Sequence, residues 1–232
     1  MPSLYILAGP NGAGKSSTGA QFLLSEDVSI PLPFDGDKLK LVKQREFYLQ
    51  VRSYKEAGKL ADDFVFETFD RLYKGALSQK IDFAYEGHFT AESSWDLLRL
   101  FKKNGYHIHF YFFGLETLDL SKERVKQRAR SGGHDVHESE IEMNYFGNMT
   151  MLDKNLDLLD QLLLLDSSAD LAILAHWQNQ QLSYAVNFSQ VPEWTKKYLP
   201  ALTAKSWSEQ LKQSTAKLID KKVNRKRKGR KL

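Results

Sequence analysis

The 232-residue chain is 42% hydrophobic and 27% charged and has no cysteine, which suits one packed domain plus a small lid or tail and excludes disulfide scaffolds, thiolate metal sites and thiol nucleophiles. No apolar run approaches the ~20 residues that span a bilayer, and residues 1–6 carry no basic leader, so a soluble, cytoplasmic protein with no membrane partner is expected. The net charge of +4 belongs to the end of the chain: residues 221–232 hold eight Lys and Arg and no acid, and without them 25 basic residues face 29 acidic ones, a net −4.

Taken in order, Leu4–Ala8 reads as a short buried strand that runs into a Gly-rich turn, and residues 15–24 as a helix. Pro31–Asp35 is a second strand. Residues 38–60 read as an interrupted polar helix, and 63–79 as a helix whose apolar face is Phe64, Phe66, Leu72 and Leu77. The stretch Phe64–Thr68 resembles a strand ending in an acid, but its periodicity is helical, so Glu67 is set aside. Ile81–Tyr85 is the third strand, ending at Glu86. Residues 91–103 are helical, with Gly105 as the stop. His107–Phe113 is the fourth strand, helices follow at 118–130 and 138–160, and Leu162–Leu165 is the fifth strand. Leu171–Trp177 and Leu182–Val186 pair around Asn179. Strands alternating with helices predict an α/β domain with a parallel sheet covered on both faces. Trp177, Trp194 and Trp207 read as packing residues.

Residues 9–16, Gly-Pro-Asn-Gly-Ala-Gly-Lys-Ser, satisfy G-x-x-x-x-G-K-[ST] between a strand and a helix. Gly9, Gly12 and Gly14 let the backbone turn its N–H groups inward around a phosphate, and the helix N-terminus adds positive partial charge. Lys15 reaches the β- and γ-phosphates, and the Ser16 hydroxyl suits Mg²⁺. The nucleotide-binding set is therefore Gly9, Pro10, Asn11, Gly12, Ala13, Gly14, Lys15, Ser16 and Ser17, with ATP and Mg²⁺ as cofactors. A chance match in a Gly-rich turn is the competing reading.

Two acids, Asp35 and Asp37, follow the second strand at the edge where open α/β sheets bind ligands. Either carboxylate suits proton abstraction from an attacking hydroxyl or water-mediated hold on a metal; Asp-Gly-Asp is also an ordinary helix-capping sequence. Glu86, His88 and Thr90 lie at the end of the third strand, where they are candidates to contact a substrate. Arg124 and Arg128, four residues apart, share a helix face that can point at a triphosphate, and Arg130 is offset. Gly132-Gly133-His134 then reads as a hinge or cap. The bland alternative is a solvated basic helix with Lys122 and Lys126.

Together, AGPNGAGKSS (8–17), FDGD (34–37), DFAYEGHFT (82–90) and ERVKQRARSGGHDV (123–136) resemble the zeta-toxin family of P-loop kinases. The resemblance covers about residues 1–170. It implies a three-layer P-loop NTPase fold with a mainly parallel central sheet and a helical lid. It also implies transfer of the ATP γ-phosphate to a hydroxyl of UDP-N-acetylglucosamine or a related small molecule. On that basis Lys15 and Ser16 bind phosphate and Mg²⁺, and Asp37 rather than Asp35 is the base. Glu86 organises substrate or metal, and Arg124 and Arg128 become lid arginines. An antitoxin protein is the partner the resemblance brings. The chain departs from the family pattern at Gly87-His88-Phe89-Thr90, where Thr-Thr-Leu-Ser is usual, at His137 in place of proline, and at Met143-Asn144-Tyr145-Phe146, which lacks arginine. These departures keep open a kinase of another acceptor (a nucleoside, an antibiotic, a nucleic-acid end). A nucleic-acid-dependent ATPase using the tail is the reading from another class.

The expected organisation is one kinase-like domain over 1–215 and a basic tail over 216–232. The tail reads as a disordered, solubilising segment; nucleic-acid binding through counterion release is the alternative, and no interleaved aromatic residue supports base stacking.

Overall fold

The computed structural model describes residues 1–19, 23, 30–131, 136–208 and 210. The Gly132-Gly133-His134 hinge, residues 20–22 and 24 of the helix expected over 15–24, and the basic tail lie outside them. Seven strands form one sheet: β1 (Ser3–Ala8), β2 (Phe34–Asp35), β3 (Phe83–Gly87), β4 (His107–Gly114), β5 (Gln161–Asp166), β6 (Ala172–Gln178) and β7 (Gln181–Ala185). The spatial order is β2-β3-β1-β4-β5-β6-β7. The first five run parallel, while β6 and β7 add an antiparallel hairpin beside β5. Asn179 and Gln180, both at positive φ (49° and 63°), make the tight hairpin turn.

The α/β expectation holds, and β4 shows why. Phe110, Tyr111, Phe112 and Phe113 are at most 3% exposed; since successive strand residues face opposite ways, both sheet faces are covered. The helices among the described residues include α1 (Gly36–Val51), α2 (Tyr54–Gln79), α3 (Glu92–Lys103), α4 (Leu118–Arg130), α5 (Glu138–Lys154) and α6 (Glu193–Tyr198). Trp177, Trp194 and Trp207 are buried. A Cβ on Gly114 would fall 2.1 Å from the Trp194 ring, so that strand end admits only glycine.

Several local expectations need correction. The second strand shrinks to two residues because Asp35 turns at once into a helix cap, its carboxylate accepting the Lys38 N–H at 2.9 Å. Arg52 adopts left-handed φ (55°) and ends α1, and Ser53 caps α2, so the helix expected from residue 63 starts at Tyr54. Its expected apolar face holds only in part: Leu77 packs on the core, but Phe66 is 72% and Leu72 39% exposed, whereas Ala57, Ala61 and Ala76 are buried and Phe69 and Tyr73 pack on the core. Small residues there permit close approach, and Phe64 instead meets Phe47 of α1. The helix expected over 138–160 stops at Lys154, where the Asn155 amide turns back to the Met151 carbonyl and takes a hydrogen bond from Arg99. Among the described residues, no helix is long and apolar enough to cross a membrane.

Candidate active site

Strand register assembles the site. Ala8 pairs with Gly87 on one side and Phe112 on the other, so the loop after β1 emerges between the ends of β3 and β4. Gly9 (φ 140°), Gly12 (76°) and Gly14 (81°) all occupy conformations that favour glycine. A Cβ on Gly9 would lie 2.2 Å from the Phe113 carbonyl oxygen, and one on Gly12 2.9 Å from Arg124 Cβ. The helical turn that follows is wide, with Gly19 N–H donating to the Gly14 carbonyl five residues back at 3.1 Å.

Around this loop lies a cleft of about 320 Å³ lined by residues 11–17 and by Asp37, Glu86, His88, Arg124 and Arg128. Lys15 is 6% exposed, and its Nζ donates to the Gly9 and Pro10 carbonyls, each at 2.9 Å. Burial holds this ammonium below the usual lysine range; Arg128 pushes the same way, while Glu86 and Asp37 oppose it. Ser16 Oγ donates to Glu86 Oε1 at 2.7 Å. Burial raises the Glu86 carboxyl, against the pull of Lys15 and the Ser16 hydrogen bond. In each case desolvation is the largest influence, so both charges are under-solvated.

Asp35 and Asp37 have separate placements: Asp35 is the N-cap of α1, and Asp37, in its first turn, lines the cleft. Arg124 and Arg128 share a face of α4 toward the cleft. Arg124 is tied down, donating to the carbonyls of Gly12 (3.3 Å), Ser167 (2.7 Å) and Ser168 (2.9 Å). Thr90 does not line the cleft; it packs on α5, where a Cβ on Gly147 would come within 2.9 Å of Thr90 Cβ.

A polar network braces the loop, joining Asn11 and His88, which the sequence reading named as site residues, to Ser121, Asn144 and Asn148, which it did not. Asn11 Oδ1 accepts from Asn144 Nδ2 at 2.8 Å, and the Asn11 carbonyl accepts from Ser121 Oγ at 2.6 Å. His88 lies between Asn11 and Asn148, 3.4 Å from each amide nitrogen. Asn148 Oδ1 receives the Phe89 N–H at 2.8 Å. The available signal was two asparagines at i,i+4 on the helix face that also buries Ile141, Tyr145 and Met149.

Burial pushes His88 from the usual 6.5 down to about 3, so its ring is neutral at physiological pH. The folded pKa is depressed, so the neutral ring's stabilising contribution is whole above pH 6.5 and is lost as pH falls toward 3. Thermal unfolding followed from pH 7 to pH 4 should show a decline that is shallower in His88→Gln. Parallel declines in the two proteins would contradict this placement.

A sequence profile of the family described as zeta toxin matches residues 1–168. The chain belongs to the zeta toxin family. An uncharacterized protein of Haemophilus influenzae is 24% identical over 137 residues, 59% of this chain and 88% of that one. Among solved structures, the PezAT chromosomal toxin–antitoxin system of the human pathogen Streptococcus pneumoniae matches with a TM-score of 0.54 at 16% identity, over 97% of this chain and 87% of that one. The AvrRxo1-ORF1:AvrRxo1-ORF2 complex with sulphate ions gives 0.64 at 15% identity, and the complex with ATP 0.64 at 16%. Each of these covers 86% of this chain, which spans 64% of the matched chain. At these identities the likeness is one of fold, and this zeta toxin family member has the kinase-like α/β architecture.

Proposed function

We propose that this zeta toxin family member is a cytoplasmic phosphotransferase that moves the γ-phosphate of MgATP to a hydroxyl of a small molecule. UDP-N-acetylglucosamine is the first acceptor to test. The observation carrying this reading is the meeting of Lys15, Asp37, Glu86, Arg124 and Arg128 around one Gly-rich cleft. A buried lysine with a lowered pKa and a half-buried carboxyl with a raised one are both relieved when a phosphate chain and a divalent cation arrive together. Ser16 and Glu86 are oxygen donors of the kind Mg²⁺ takes, already adjacent at 2.7 Å. In this reading they hold the ion, which supplies charge neutralisation on the β- and γ-phosphates.

The chain's own groups do the rest. The Gly9–Gly14 backbone cradles the phosphates, and Lys15 turns from the loop carbonyls to the phosphate oxygens. Asp37 takes the proton from the acceptor hydroxyl as its oxygen bonds to the γ-phosphorus, while the bond to the β-phosphate oxygen breaks and ADP leaves. Arg124 is the fixed cation at the cleft wall, and Arg128 supplies the second positive charge as negative charge gathers on the transferring group. His88 positions the loop. An antitoxin protein is carried over as a partner on the strength of the family and the PezAT likeness.

The test is ADP release with MgATP alone and with UDP-N-acetylglucosamine added. Release that rises with the acceptor supports the reading; release indifferent to UDP-N-acetylglucosamine and to other alcohols contradicts it. Arg128→Ala should slow turnover by about 10²-fold or more while weakening ATP binding far less. Equal effects on both would remove Arg128 from the transfer step.

A further inference from the structure

Arg124 lines the cleft, and neutral groups hold its guanidinium. Nη1 donates to the Gly12 and Ser167 carbonyls at 3.3 and 2.7 Å, and Nη2 to the Ser168 carbonyl at 2.9 Å. Among the described residues no carboxylate forms an ion pair with it; the acid at the start of α5, Glu138, is taken up by Lys122 and Lys126. Carbonyls orient a guanidinium without cancelling its charge. The positive charge therefore remains for an anionic ligand, at a fixed point and with no reorganisation on binding. The bond to Gly12 ties that point to the phosphate loop itself.

Two of the three carbonyls belong to the loop after β5, and one side chain shapes that loop. Asp166 ends β5 opposite Gly114 of β4. Its Oδ1 accepts both the Ser168 N–H at 3.1 Å and the Ser168 hydroxyl at 2.5 Å, a turn that an Asp side chain makes with the backbone two residues on. Ser168 Oγ in turn accepts the Glu116 N–H at 2.8 Å. Ser167 donates its N–H and its Oγ to the Gly114 carbonyl, at 3.0 and 2.8 Å. The loop is thereby pinned to the end of β4, with the Ser167 and Ser168 carbonyls turned to α4. Asp166 does not line the cleft. A chain of hydrogen bonds nevertheless runs from it through Ser168 and Arg124 to Gly12.

Resting on the phosphotransfer reading above, we propose that Asp166 is a positioning residue for nucleotide binding: by folding the turn at Ser167 and Ser168 it sets Arg124 against the ATP phosphates. Asp166 acts as a hydrogen-bond acceptor and not through its charge, since its Oδ1 meets an N–H and an O–H, and among the described residues no cation pairs with it. An Asp two residues before a Ser is an ordinary turn at a strand end. What gives this one a role in binding is the destination of the two carbonyls it aims. They hold the one arginine of the cleft that also grips the phosphate loop. Because Arg124 is in place before the ligand arrives, the effect falls on ATP affinity.

The experiment measures calorimetric binding of MgATP, with thermal unfolding on the same preparations. It uses the full chain as wild type, Arg124→Ala, Asp166→Ala, Asp166→Asn, Ser168→Ala and the double variant Asp166→Ala with Arg124→Ala. Arg124→Ala and Asp166→Ala should each raise the ATP Kd about tenfold, the scale of a lost hydrogen bond to a charged group. Asp166→Asn, whose amide oxygen accepts the same two bonds, should bind within about twofold of wild type. In the double variant the Kd should match that of Arg124→Ala alone, because the turn then has nothing to position. Ser168→Ala keeps the carbonyl and loses only the hydroxyl; it should raise the Kd about threefold, and it carries the test if Asp166→Ala does not fold. Additive losses in the double variant overturn the proposal. So does an Asp166→Ala protein that melts lower yet binds ATP with wild-type affinity, the mark of a merely structural turn. Asp166→Asn binding as weakly as Asp166→Ala would assign the effect to charge and overturn it too. All three outcomes leave the phosphotransfer reading standing, whereas absence of ATP binding by the wild type would overturn that reading and this proposal with it.

Discussion

Lys15→Ala should reduce phosphate transfer by about 10³-fold or more. Lys15 is 6% exposed at the floor of the Gly-rich loop, and its ammonium donates to the Gly9 and Pro10 carbonyls, which a bound phosphate would replace. Its charge acts where negative charge accumulates, in a site shielded from water, and single donors in such sites are worth about 10²–10³ in rate. Alanine also leaves the bound phosphates unneutralised, which adds a loss in ATP affinity. The fold should survive, because burial already disfavours this charge. The checks are transfer of labelled phosphate, ATP binding and thermal unfolding on the same preparation. A folded Lys15→Ala protein with transfer within tenfold of wild type would remove this loop from the chemistry.

Asp37→Asn should separate binding from chemistry. Asparagine has the same shape and keeps the first turn of α1, so ATP should bind within a fewfold of wild type. Transfer should drop by about 10²–10⁴-fold, the range that general-base catalysis contributes. Asp35→Asn is the matched control. Asp35 spends its carboxylate on the Lys38 N–H, and asparagine is an equally good N-cap, so transfer should change little. Reversal of the two effects would assign the base to Asp35, and near-normal transfer in both would leave neither as the base.

The sequence made the central layout legible where periodicity and motif spacing act locally. The strand and the Gly-rich turn that follows it, the aromatic run of β4 and the asparagine hairpin turn are all written in consecutive residues. The placement of Glu86 beside Ser16 could be expected only in outline, because it depends on β3 pairing in register with β1. The face of α2 was misjudged for a tertiary reason: that helix packs on α1 as well as on the core, so a large exposed Phe66 and small buried alanines reverse the usual weighting. Thr90, adjacent in sequence to the site, is drawn away by the close approach of Gly147. The asparagine brace on Asn11 joins residues 133 positions apart and has no local signature. Arg124 shows a related limit. Its charge was readable, but its hold on the Ser167 and Ser168 carbonyls depends on the loop after β5 folding beside α4.

Membership of the zeta toxin family and the kinase-like fold leave the destination of the phosphate as the central question. The most direct measurement incubates the wild type with γ-labelled MgATP and UDP-N-acetylglucosamine, then asks which molecule carries the label. The account predicts label on the small-molecule alcohol, with ADP formed in equal amount. Label found only as inorganic phosphate, at a rate the alcohol does not alter, would contradict it.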